Sequence, residues 1–185
     1  MMTGVIPMDN LDKLLKSKEY DKIMYSKKQK KALREKSLNA LGIQYQLVIC
    51  MEEIAELIDV VSSNINEKVD YVHTAEELVD VKICADYIMH IYDMKEPTIK
   101  HGKRKNSKKT YLASIGNLSH AQMKISKLIR YKNGAEKYLY DIVENMLNSV
   151  EELTILFKIK KKDLNKIENL KYARLEQRLV YGRLS

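Results

Sequence analysis

The feature that most constrains this chain is its lack of helix breakers. Proline stands only at Pro7 and Pro97, and 185 residues include just six glycines. Turn-rich sandwiches and barrels use both residue types heavily. The expected fold class is therefore all-α, a helical bundle with short connections. No apolar run approaches the ~18 residues of a membrane-spanning helix. The first residues, MMTGVIPMDNLDKLLK, lack the basic-then-apolar order of a signal peptide. Two cysteines do not make a disulfide framework, so Cys50 and Cys84 read as small core residues. A reduced, cytoplasmic protein without a membrane partner is expected.

Apolar spacing and cap signals divide the chain. Residues 1–40 read as an N-terminal helical segment with a short helix at 9–19 and a basic stretch at 26–37. Residues 41–96 read as a helical hairpin, with helices at 41–65 and 74–93. Thr74 to Glu77 matches a capping box, and Pro97 is a stop signal. A basic linker follows at 97–110, holding six basic and no acidic residues within 100–109. Residues 111–185 read as a second helical repeat, with helices at 111–131 and 137–158, and then a basic C-terminal helix at 162–181. All of these belong to one compact domain.

The formal charge of +8 conceals a division. Residues 1–96 carry 13 basic and 17 acidic side chains, net −4, and residues 97–185 carry 20 and 8, net +12. Within 41–96 the count is 3 against 12, net −9. A basic protein attracts the phosphates of nucleic acid. A segregated one can hold metal ions on its acids and an anionic substrate on its bases.

The acids of the hairpin are not spread around their helices. Glu52, Glu53, Glu56 and Asp59 fall within an arc of about 120°. Tyr45, Ile49 and Val60 share that arc, so carboxylates interrupt an otherwise apolar face. On the second helix Glu76, Glu77 and Asp80 are continued by Ile83, Cys84, Tyr87 and Ile91. Antiparallel neighbours would turn these acids toward each other. Buried like charges repel unless cations compensate them, and all-oxygen donor sets suit Mg²⁺ or Mn²⁺. A bundle di-iron centre needs Glu-x-x-His, and neither Glu53-x-x-Glu56 nor Glu77-x-x-Asp80 supplies it. No glycine-rich phosphate loop is present. His73, His90, His101 and His120 show no ligand spacing.

Glu52-Glu53-Ile54-Ala55-Glu56, twenty residues, and Glu77-Leu78-Val79-Asp80 resemble the EExxE…ExxD signature of the all-α nucleoside triphosphate pyrophosphohydrolases, the MazG and dimeric dUTPase superfamily. Gly42 and Gln46 precede the first motif as a glycine and a glutamine do in many MazG-like sequences. Lys171, Arg174 and Arg178, spaced to share a helix face, look like the basic tail of phage-type members. The resemblance is strong over residues 41–93. It implies Mg²⁺, or alternatively Mn²⁺, held by Glu53, Glu56, Glu77 and Asp80, with Glu52 as a further ligand or as the group orienting the attacking water. It implies hydrolysis of a (deoxy)nucleoside triphosphate to the monophosphate and pyrophosphate, in nucleotide-pool control. Gln46, Lys171, Arg174 and Arg178 are the candidate substrate contacts.

The second half also resembles the first. Glu53, Glu56 and Asp59 align without gaps on Lys124, Lys127 and Arg130, an offset of 71, and Gln46 falls on Asn117. Asp141-Ile142-Val143-Glu144 is a looser counterpart of Glu77–Asp80. A duplicated hairpin is expected, in which only the first copy keeps its acids. Lys124, Lys127 and Arg130 become further candidate phosphate contacts. Duplication permits a monomer, whereas the superfamily commonly forms homodimers. The alternative is a non-enzymatic nucleotide- or nucleic-acid-binding helical protein. Its affinity for nucleic acid would fall steeply with salt.

Overall fold

The structure is a computed structural model that describes residues 24–65, 70–99, 107–131 and 136–181. The expected helix at 9–19, the connection at 132–135 and half of the basic linker (100–106) lie outside the described residues. Among the described residues, six α-helices and one 3₁₀ turn account for the regular structure, and there is no strand. None of these helices is long and apolar enough to cross a membrane.

Ser26 opens helix α1 (Lys27–Leu41) with a reciprocal cap. Its Oγ accepts the Gln29 N–H at 3.3 Å, and Gln29 Oε1 accepts the Ser26 N–H at 2.9 Å. Gly42 then ends α1 and starts α2 (Ile43–Ser63) in a single residue. Its φ of 84° and ψ of 159° lie where only glycine is readily accommodated. Helix α3 runs Tyr71–Ile91, one turn longer at its start than the sequence predicts. The cap is Asp70 rather than Thr74, because the Asp70 carboxylate accepts the N–H groups of Val72 and His73 at 3.1 and 3.0 Å. Thr74 lies inside the helix and receives the Asn64 amide from the end of α2 at 2.9 Å. Helix α4 (Ser107–Arg130) likewise begins four residues before the expected position, within what was read as linker. A 3₁₀ turn, Glu136–Tyr138, leads into α5 (Leu139–Leu156), and α6 spans Lys161–Tyr181.

Helices α2, α3, α5 and α4 close a four-membered ring in that order, and α6 lies on α3 with α1 strapped across it. Asn64 and Thr74 join the end of α2 to the start of α3. The Lys160 N–H donates to Tyr71 Oη at 3.1 Å, so the end of α5 meets the start of α3. The Tyr111 and Phe157 rings, 5.6 Å apart, join the start of α4 to the end of α5. Every neighbour in the ring is therefore antiparallel, including α2 and α4. The core holds Leu47, Ile54, Leu57, Leu78, Ile88, Leu118, Ile125, Ile142, Met146 and Leu153. Cys50 and Cys84 are free thiols buried within it. Ile54→Ala, at a fully enclosed position, is expected to cost about 2–5 kcal/mol, measured as a lowered denaturation midpoint at unchanged m-value.

Helix α6 is fixed by charge as much as by apolar contact. Glu168, buried, receives Lys82 Nζ from α3 at 2.7 Å and Lys30 Nζ from α1 at 3.1 Å. Burial pushes this carboxyl up, but the two ammonium groups outweigh it and hold it below the usual range. Arg34 of α1 bonds both Asp86, at 3.4 Å, and the Tyr172 hydroxyl. These contacts set the rotation of α6 about its axis and so decide which of its side chains face α3.

Candidate metal centre and adjoining cavity

Helix α2 places Glu53 and Glu56 one turn apart, and α3 brings Glu77 up to them. One carboxylate oxygen from each lies within 4.8 Å of the other two. Antiparallel packing of two helices whose acids face inward produces this convergence. Glu77 is 6 % exposed, and its Oε2 has no hydrogen-bond partner. Its Oε1 lies 3.5 Å from Nδ1 of His73, a residue whose i,i+4 spacing to Glu77 was the only sequence sign of the contact.

The electrostatic consequences follow. Burial, then the charges of Asp80, Glu56 and Glu53, push the Glu77 carboxyl up to about 8. Burial, then Asp80, raises Glu53 to about 7, with Glu56 and Glu52 adding to the shift. Lys171 opposes both shifts. Asp80 is also raised by burial, against the pull of Lys171, whose ammonium contacts its carboxylate directly. A set of carboxylates that resists ionisation, with one buried oxygen left unpaired, fits a hard divalent cation with oxygen preference. Glu53, Glu56 and Glu77 would hold it.

A cavity of about 270 Å³ adjoins the acids. Glu53 of α2 and Asp80 of α3 line it together with Lys171, Arg174 and Arg178 of α6. Gln46, 4 % exposed, lines it beside Ile49, Ile83, Tyr87 and Tyr172. The lining thus combines charged side chains with apolar and aromatic ones. Ser37 of α1 also lines it, with no sequence signal to mark it.

The sequence-derived candidates divide. Gln46, Lys171, Arg174 and Arg178 reach the cavity, although Lys171 is engaged with Asp80. Glu52 is exposed and lies outside the converging set. Lys124, Lys127 and Arg130 are not among the residues lining the cavity. Lys124 instead pairs with Asp141 at 3.0 Å, and both Lys124 and Lys127 lie over the Tyr138 ring, 5.8 and 5.5 Å from its centroid. Arg130 lies 5.5 Å from the Tyr131 ring and donates to the Ser126 carbonyl. Lys124 thus meets α5, whereas Arg130 stays against its own helix end. Tyr45, which shares the arc of the acids, is exposed beside a separate hollow at Gly42, whereas Tyr87 is buried in the cavity wall.

No protein-family model, curated protein or solved structure matches this chain.

Proposed function

We propose that this chain is a divalent-metal-dependent nucleoside triphosphate pyrophosphohydrolase of the MazG-like kind, with Mg²⁺ as the working ion and Mn²⁺ as its substitute. The observation that carries this reading is a cavity lined by Glu53 and Asp80 together with Lys171, Arg174 and Arg178, with Glu53 shared between it and the converging set Glu53, Glu56 and Glu77. A triphosphate chelated to a divalent ion carries both complementary charges. When bound, the ion supplies charge neutralisation and a more acidic water near neutral pH.

The chain's own residues then do the rest. Glu53, Glu56 and Glu77 fix the ion, and Arg174 and Arg178 orient phosphate oxygens through paired N–H donors. Gln46 and the apolar and aromatic side chains of the lining accept the nucleoside. The reaction consumes one water across the anhydride between the first and second phosphates, yielding the monophosphate and pyrophosphate. Catalysis of this kind rests on positioning and electrostatics. A panel of NTPs and dNTPs, assayed for pyrophosphate with Mg²⁺ and with EDTA, tests it. Metal-dependent release with at least one nucleotide is expected, and release with none removes the assignment. Arg174→Ala and Arg178→Ala are each expected to raise KM about 10-fold or more with a smaller change in kcat. An unchanged KM would remove them from the binding site.

The architecture also supports a duplicated hairpin. In the antiparallel pair α2 and α4, Gln122 Nε2 donates to the Met51 carbonyl at 2.9 Å, and these two residues are counterparts under the offset of 71. Such a self-contact is what a local two-fold axis produces at a helix crossing. Buried Leu47 and Ile54 match buried Leu118 and Ile125. The Lys124–Asp141 ion pair stands where Glu53 and Glu77 stand in the first copy. The second site has thus become self-neutralised, and one chain carries one centre. Light scattering at assay concentration is expected to give the monomer mass.

A further inference from the structure

Four acids gather at the centre, but they do not gather equally. The oxygens that converge belong to Glu53, Glu56 and Glu77. Asp80 is turned onto Lys171 Nζ instead, in a contact whose two side chains are only 12 % and 24 % exposed. The lysine is not a loose surface group that has drifted in. One turn earlier, Glu168 is clamped by Lys30 and Lys82, and the next residue, Tyr172, is bonded by Arg34. Both anchors hold the α6 backbone so that residue 171 projects at α3. A second divalent ion at Asp80 would have to displace a positioned ammonium from a desolvated carboxylate. At the other hairpin a lysine also meets an aspartate, Lys124 with Asp141, but there the carboxylate is exposed.

We infer that the centre takes a single divalent ion, on Glu53, Glu56 and Glu77, and that Lys171 serves as a built-in second cation, with Asp80 as the residue that positions it rather than a metal ligand. This rests on the metal-centre reading above and departs from the four-ligand set that the sequence resemblance implies. The ammonium and the ion together offset three of the four carboxylate charges. They also leave two positive centres side by side at the mouth of the cavity, where a polyphosphate can bridge them. The ion is exchangeable, whereas the ammonium is permanent.

The test is Mn²⁺ binding to the full chain, followed by calorimetry and by the paramagnetic resonance of free Mn²⁺. Wild type is expected to bind one equivalent. The charge-balanced double variant Lys171→Met/Asp80→Asn removes the buried pair without stranding a charge, which makes it the variant expected to fold. It should still bind one equivalent, with Kd within about threefold of wild type, whereas Glu56→Gln weakens binding by more than about 10-fold. Lys171→Met alone frees Asp80 and raises the uptake to two equivalents. Two equivalents in wild type, a Kd weakened about 10-fold or more in the double variant, or an unchanged single equivalent in Lys171→Met would each overturn the inference while leaving a metal centre in place. Absence of Mn²⁺ binding in wild type would remove the metal-centre reading and this inference together.

Discussion

Glu53→Gln is expected to abolish pyrophosphate release while raising the thermal midpoint of the metal-free protein. The two effects have one origin. Glu53 is half-buried among Glu56, Glu77 and Asp80, and its carboxyl is pushed up to about 7, so at pH 8 its ionised form is held against both burial and like charge. Glutamine keeps the shape and removes the charge, which relieves the metal-free fold. The same change removes one of three converging oxygen donors, and activity is expected to fall by at least about 100-fold. Opposite movement of stability and activity is the mark of a site built for an ion rather than for the fold. Calorimetry in EDTA and the pyrophosphate assay check the two halves separately. Full activity would show that Glu53 is no ligand. A lowered midpoint would show that its carboxylate supports the fold instead.

In EDTA the protein is expected to become less stable as pH rises from about 5 to 9, and Mg²⁺ or Mn²⁺ is expected to reverse this loss. The folded-state values of about 7 for Glu53 and about 8 for Glu77 lie above the unfolded carboxylate value of 4.5. Between those limits the folded chain binds more protons than the unfolded one. Stability from these groups is therefore full below the unfolded value and is lost as pH climbs through the folded values. Metal ions bind the deprotonated acids, so their effect runs the other way and grows with pH. At ~100 times Kd a ligand adds about 2.7 kcal/mol. For a chain of this size that is a rise in Tm of about 5–10 °C at pH 8, shrinking toward zero near pH 5. Differential scanning calorimetry over a pH series with and without the ion measures it. A rise of equal size at both ends of the series would place the ion elsewhere.

Much of the fold was written in spacing. The apolar periodicity located α2 through α6 to within about one turn, whereas α1 read only as a basic stretch at 26–37 and the break at Gly42 fell inside the expected helix 41–65. The mistaken cap at Thr74 has a definite cause. Thr74 and Glu77 satisfy a capping pattern, but the Asp70 carboxylate reaches two backbone N–H groups and starts the helix a turn earlier. In the site, Glu53, Glu56, Glu77 and Asp80 were legible because i, i+3 and i+4 neighbours share a face. Periodicity gives a face, not the identity of what faces it. Periodicity therefore gave no sign that Lys124 meets Asp141 and that Lys124 and Lys127 lie over the Tyr138 ring. The Lys171–Asp80 contact was hidden for the same reason, since it depends on Glu168 meeting Lys30 and Lys82 from two other helices. Each of Lys171 and Asp80 was named as a candidate, for substrate and for metal respectively, and only their packing joins them.

Gly42 gives the molecule a mechanical property of its own. Helix α1 pivots on this one residue, whose φ of 84° is its link to α2. Through Lys30 and Arg34 the far arm of that lever grips α6, and α6 carries the basic side chains that line the cavity. A side chain at position 42 would meet no atom within 4 Å, so its whole effect would be torsional. The placement of the basic side chains against the acids thus depends on a backbone angle eleven residues before Glu53, the first acid of the converging set.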